Sequence, residues 1–126
     1  MYKDKKILAV VIARENSKGL KDKNLKILIN KPLVMWPIHA ALGSKYIDKV
    51  LLSTDSMKIV NKVKKRVKNY KFFIPFIRPK NLATSKSNSR DVVIHAIKFL
   101  QNRKIFFDYV LMLEPTSPST TNRDID

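Results

Sequence analysis

At 126 residues, 44% of them hydrophobic, the chain is one modest domain that can bury an ordinary core, which excludes global disorder. It contains no cysteine, so disulfide frameworks, thiolate zinc sites and cysteine nucleophiles are excluded together, and a reducing compartment fits. A formal net charge of +16, from 26 Lys and Arg against 10 Asp and Glu, permits a polyanionic partner without specifying one, because the cations are spread along the whole chain.

The amino-terminal stretch combines a basic patch with a short apolar run, as a secretory signal would. Arg14, Glu15 and Lys18 follow at once, however, and no small-residue cleavage site is present. No segment approaches the roughly 18 uninterrupted apolar residues of a membrane span. A soluble cytoplasmic protein with no membrane partner is the expectation. Ile7 to Ala13 (ILAVVIA) is a continuous, largely β-branched apolar run, the pattern of a parallel-sheet strand buried on both faces. A polar loop, Arg14 to Asn24, follows, then an extended piece at Leu25 to Leu28 and a turn at Asn30 to Pro32. A helix is expected from about Leu33 to Leu42, with Pro37 in its first turn or at a kink and Gly43 ending it.

Asp48 to Thr54 (DKVLLST) reads as a second buried strand. In the next segment Met57, Ile59, Val60, Val63 and Val67 recur at helical spacing. The densest cationic cluster (Lys58, Lys62, Lys64, Lys65, Arg66 and Lys68) shares it, so an amphipathic helix with a solvated lysine face is expected, with Ser56 as its N-cap. Phe72 to Ile74 is a short third strand closed by Pro75, and Arg78 to Asn88 is a turn-rich loop. A helix then starts at Ser89 or Asp91 and runs to about Leu100, turning Val92, Val93, Ala96, Ile97 and Leu100 inward. Tyr109 to Leu113 (YVLML) is the fourth strand. Glu114 to Ser119 is a proline-bearing loop, and Thr121 with Asp124 resembles a capping box opening another helix.

Strands alternating with helices imply a parallel sheet with right-handed crossovers, an α/β domain of the doubly wound, Rossmann-like kind. The order stops as a helix begins, so the chain reads as the first half of a larger domain, and its outer apolar strand should present an uncovered edge. Ligands of such sheets bind beyond the carboxyl ends of the strands. Four loops leave those ends: Arg14 to Asn24, Thr54 to Ser56, Pro75 to Asn88 and Glu114 to Thr120. The first sets Arg14, Lys18, Lys21 and Lys23 around Gly19. Glycine lets the backbone turn and present amides, and the cations neutralise polyphosphate. The loop is equally compatible with a solvated surface loop, and it matches neither GxxxxGK(S/T) nor GxGxxG. Asp55 at a strand end is either a helix-opening residue or a metal ligand. His39 and His95 lack a second histidine or carboxylate at ligand spacing, so satisfied helix histidines are expected rather than bases or ligands.

Five stretches carry a family resemblance: ARENSKGLKDKN, NKPLVMWPIHAAL, DKVLLSTDS, RPKNLATSKS and VLMLEPTSP, in order and in register. The first resembles AR-x-x-SKG-x-x-x-KN, the amino-terminal signature of the acylneuraminate cytidylyltransferases, or CMP-sialic acid synthetases. The resemblance runs from about Ile7 to Asp126. It implies a nucleotide-diphospho-sugar transferase type of fold. It also implies an enzyme, a nucleotidyltransferase that joins CTP to a nonulosonic acid and releases diphosphate with the help of Mg²⁺. Carried over by position, Arg14 and Lys23 hold the triphosphate, Lys18 and Gly19 shape that loop, and Asn24 lies beside the reacting centre. Arg78, Ala83 and Ser85 surround the cytosine base. Glu114, Thr116 and Ser117 face the sugar acid.

The chain departs from the family in two places. EPTSPST stands where the family shows QPTSPLR or EPTSPLR, so a cation is missing at Ser119–Thr120. The family domain is nearly twice as long, and the resemblance places its metal-binding aspartates, sugar pocket and dimerisation element in the later half. Asp124 and Asp126 are therefore not that metal pair. The partners implied are CTP, a nonulosonic acid, and either a second copy of the chain or another chain supplying the rest. The competing readings are a non-catalytic remnant or split subunit of the same fold, and a basic nucleic-acid-binding module. The last requires aromatics exposed beside the cations, whereas Trp36, Phe72, Phe73, Phe76, Phe106, Phe107 and Tyr109 fall mostly in or beside core elements. No nucleic-acid partner is expected.

Overall fold

A computed structural model describes residues 4–13, 16–17, 20–21, 25, 27–28, 31–79 and 89–114. Its elements in order are β1 (Ile7–Ala13), β2 (Asn16–Ser17), β3 (Leu20–Lys21), β4 (Ile27–Leu28), β5 (Lys31–Pro32), α1 (Met35–Leu42), β6 (Lys49–Thr54), α2 (Met57–Arg66), β7 (Phe72–Phe73), α3 (Ser89–Asn102) and β8 (Tyr109–Leu113). The expected alternation of strand and helix is present. Two short antiparallel ladders are added to it, β2 with β3 and β4 with β5. The first pairs Asn16 with Lys21 and Ser17 with Leu20 within the basic loop. Two-residue strands carry no hydrophobic period, and of these four only β4 falls in a stretch expected to be extended, Leu25 to Leu28.

The main sheet has four strands in the order β7-β6-β1-β8, all paired parallel. Each of the seven residues of β1 is buried, as a strand at the centre of a two-faced sheet requires. Its side chains alternate between two cores. Ala9, Val11 and Ala13 join Val50 and Leu52 against Val34, Met35 and Ile38 of the α1 region and Ile59 and Val63 of α2. Leu8, Val10 and Ile12 join Leu51 on the opposite face, against Val92, Ala96 and Leu100 of α3. Helices therefore cover both faces, the doubly wound arrangement that the run of elements implied.

Local chemistry sets the element ends. Pro37 is the third residue of α1, where its missing N–H would have had no partner inside the helix. The Ser56 hydroxyl caps α2 by accepting from the Ile59 amide at 3.2 Å. Two aspartates pin the start of β1 between its neighbours. Asp48, just before β6, accepts the Ile7 amide at 2.8 Å and donates its own amide to the Ile7 carbonyl at 2.9 Å. Asp108, just before β8, does the same with Lys6 at 2.8 and 2.9 Å. These reciprocal pairs hold the register in which Leu8 faces Lys49 and Ile7 faces Tyr109.

β8 is the outer strand on its side, and three of its apolar side chains remain open while Val110 and Leu113 pack against the cores. Tyr109, Leu111 and Met112 are 54%, 37% and 47% exposed, so the uncovered edge expected from the sequence is present. Core and rim should respond differently to truncation. Leu51→Ala, at a fully buried position, should lower the unfolding free energy by roughly 2–5 kcal/mol in urea titrations. Met57→Ala, on an exposed position of α2, should change it by less than about 0.5 kcal/mol.

Candidate functional site

The strand order creates one reversal point. From β1 the chain moves to β6 and then β7 on one side, and returns past β1 to place β8 on the other. A crevice at the carboxyl ends of β1 and β8 is thus where a sheet of this kind takes its ligand. The loops that begin at residue 14 and residue 115 leave those two strand ends.

Arg78 ties this end of the sheet together. It is 2% exposed, and its backbone N–H donates to the Thr54 carbonyl at 2.8 Å. Its guanidinium Nη2 donates to the Ala13 carbonyl at 3.1 Å, and Nη2 lies 4.0 Å from Asp55 Oδ1. One residue thereby holds the last residue of β1, the last residue of β6 and the carboxylate that follows β6. A buried guanidinium is tolerable because backbone oxygen and a nearby carboxylate replace part of its hydration. Ala13 immediately precedes Arg14, so the basic loop departs from a carbonyl that Arg78 fixes.

Around this anchor the polar groups are mutually bonded. The Thr54 hydroxyl accepts from the Ser56 amide at 3.2 Å, which shapes the turn into α2. Ser56, not Asp55, supplies the helix cap, and Asp55 faces Arg78. Among the described residues no three His, Cys, Asp or Glu side chains come together, so a metal-ligand set around Asp55 is absent there. At the far side of the crevice Glu114, directly after β8, accepts from the Ser89 hydroxyl at 2.5 Å. Ser89 opens α3, so the segment 78–89 is held to β1 and β6 at its start and to the end of β8 at its finish.

His95 lies beneath, on α3. Its ring meets Phe76 edge-on with centroids 4.6 Å apart, and its buried Nδ1 has no hydrogen-bond partner among the described residues. The expectation of a satisfied histidine therefore fails here, because helical spacing places a side chain on a face without supplying its partners. Burial, and then the positive charge of Arg78, lower the His95 pKa below its ordinary 6.5. His39 does have a partner: its Nδ1 lies 2.8 Å from the Lys31 ammonium. Burial and then the charges of Lys31 and Arg66 lower its pKa as well.

Of the residues the sequence singled out, Arg78 and Glu114 stand at the two anchors just described. Arg14, Lys18, Gly19, Lys23, Asn24, Ala83, Ser85, Thr116 and Ser117 lie outside the described residues. Sequence reasoning named Ser89 only as a helix start and Asp55 only as a helix-opening residue or metal ligand. Neither contact has a local signal, since Ser89–Glu114 joins residues 25 apart and Arg78–Ala13 joins residues 65 apart.

The sheet order, with helices on both faces, makes this a Rossmann-like α/β unit, and its fold is of the nucleotide-diphospho-sugar transferase type. Its fold matches that of a CMP:2-keto-3-deoxy-manno-octonic acid synthetase solved in complex with CTP, with a TM-score of 0.72 and 21% identity, over 95% of this chain and 44% of that one. Residues 8–126 match the family described as Cytidylyltransferase, and the chain belongs to that family. It is 40% identical over 113 residues to a CMP-N,N'-diacetyllegionaminic acid synthase of Legionella pneumophila, covering 90% of this chain and 47% of that relative. It is 37% identical over 120 residues to a pseudaminic acid cytidylyltransferase of Campylobacter jejuni, covering 95% of this chain and 50% of that relative. The chain thus spans about half the length of these curated relatives.

Two measurements check this site. Arg78→Met keeps the apolar stem but leaves the Ala13 carbonyl without its donor, and should lower the unfolding free energy by roughly 1–3 kcal/mol. The second concerns pH. A histidine whose folded pKa is depressed resists protonation in the native state, so the unfolded chain takes the proton first as pH falls below 6.5. Stability should therefore drop between about pH 7.5 and about pH 5.5, and His95→Phe should remove part of that slope in denaturant titrations at both values.

Proposed function

We propose that residues 1–126 are the N-terminal, nucleotide-binding part of a cytidylyltransferase domain that activates a nonulosonic acid with CTP, giving the CMP-sugar and diphosphate. The observation that carries this reading is the anchoring of segment 78–89 on both sides of the sheet's reversal point, by Arg78 and by Ser89–Glu114, in a chain of this family. The names of the two relatives, a legionaminic and a pseudaminic acid enzyme, support a sialic-type acid as the acceptor.

In this reading the basic loop grips the nucleotide. Arg14 and Lys23 bind the triphosphate oxygens, Arg in bidentate fashion and Lys as a point charge. Gly19 permits the turn that presents backbone amides, and Lys18 adds charge beside it. Asn24 orients the reacting groups. Ala83 and Ser85 border the cytosine, with Arg78 holding the base-side segment to the strand ends. Glu114, Thr116 and Ser117 bind hydroxyl or amide groups of the sugar acid. Glu114 suits a donor better than it suits the substrate's carboxylate, which it would repel.

The anomeric hydroxyl of the sugar acid attacks the α-phosphorus of CTP, a new P–O bond forms, and the bond to the β-phosphate breaks as diphosphate leaves. The enzyme supplies no nucleophile, so the contribution of these residues is alignment and neutralisation of charge. A divalent cation, Mg²⁺, would add charge neutralisation at the triphosphate, with ligands supplied by the part of the relatives' length that this chain does not span. The open flank of β8 at Leu111 and Met112 is where that further structure would pack. It would come from the rest of a longer chain or from a second polypeptide, and a homodimer is the expected assembly.

Diphosphate release measured with CTP and a panel of nonulosonic acids tests the activity. CTP titrations by calorimetry test the grip: Arg14→Ala should weaken CTP binding on the order of tenfold or more. An unchanged affinity refutes the role given to Arg14.

A further inference from the structure

The amino-terminal end of the sheet, opposite the loops described above, holds a cavity of about 590 Å³. Lys6 and Lys49 border it from the starts of β1 and β6, and the chain leaving α3 closes it with Lys104, Ile105, Phe106 and Phe107. Phe106 is 61% exposed and Ile105 41%, so this wall offers an open apolar surface. Among the described lining residues three carry an ammonium group and one, Asp48, a carboxylate. That carboxylate already accepts the Ile7 amide, and Lys49 Nζ donates to the Tyr70 carbonyl at 3.1 Å.

Three lysines in so basic a chain would mean little by themselves. Lys104 is different because its backbone conformation works against it. α3 ends in a paired closure, with the Lys104 amide donating to the Gln101 carbonyl and the Ile105 amide to the Leu100 carbonyl, both at 2.9 Å. This Schellman arrangement needs a left-handed residue after the helix, and glycine supplies it without steric penalty. Here Lys104 takes the position at φ 61°. The only other positive-φ non-glycine among the described residues is Asp4, whose short polar side chain suits that region. A lysine has no such compensation. Strained residues cluster where a side chain serves a function, and Lys104 is one of the residues that line the cavity.

We infer that this cavity is a binding site for a small aromatic anion, separate from the nucleotide crevice at the other end of the sheet. The ring lies against Phe106, Phe107 and Ile105, where offset or edge-on packing is available. Its sulfonate, carboxylate or phosphate group lies toward Lys104 and Lys6, with Lys49 behind them.

The test is a ¹H–¹⁵N correlation titration of the whole chain with two ring-bearing anions, naphthalene-2-sulfonate and phenyl phosphate. Controls are sodium sulfate (an anion without a ring) and 2-naphthalenemethanol (a ring without a charge). Both ring-bearing anions should shift the amides of residues 48–49 and 104–107, and both controls should bind more weakly. Lys104→Gly should raise Tm, because strain is relieved, yet weaken binding by roughly threefold or more, the scale of one partly exposed ion pair. Lys104→Asn, which also tolerates the left-handed region, should lose affinity likewise. The inference is overturned if these amides do not shift, if either control binds as well as the ring-bearing anions, or if both Lys104 variants keep full affinity.

Discussion

The ends of β1 and β6 are tied together by one buried arginine. Arg78 reaches the carbonyl that ends β1, holds the carbonyl that ends β6 through its own amide, and faces the carboxylate of Asp55. Parallel strands leave their terminal carbonyls pointing into the ligand crevice, and water would ordinarily satisfy them. Arg78 takes that place at two strand ends at once, so the loops that follow start from fixed positions.

The second anchor works in the opposite sense. Ser89 and Glu114 belong to segments that the chain order separates by the whole of α3, yet they meet because α3 packs its Val92, Ala96 and Leu100 face on β1 while β8 pairs beside it. Hydrophobic packing thus brings a helix start and a strand end within hydrogen-bond distance. The amino-terminal end of the sheet is pinned by Asp48 and Asp108 in the same manner, through side chains that bond the backbone of the neighbouring strand. Both ends of β1 are therefore held by charged groups, and its middle by apolar packing on two faces.

The open flank of β8 and the relatives' greater length fit together. Leu111 and Met112 leave apolar surface exposed on this strand, and the legionaminic and pseudaminic acid relatives have about as much chain again. Part of the positive charge has a plainer origin. Lys58, Lys62, Lys64 and Lys65 are exposed along α2 while Ile59, Val60 and Val63 are buried, the solvated lysine face of an amphipathic helix.

The amino-acid sequence by itself determined the order and type of the main elements, because an unbroken apolar run, a helical period and a serine cap are written within a few residues of one another. It also carried the family, through five short motifs in register. It did not show which strands are neighbours, since the order β7-β6-β1-β8 follows from how two helices and a third divide between the faces. Nor did it show that Arg78 would be buried and bonded to Ala13, that His95 would sit against Phe76 with a bare Nδ1, or that Lys104 would be left-handed. Periodicity reports the face a residue occupies. The partner waiting on that face is set by contacts between distant parts of the chain, which only the packed tertiary structure brings together.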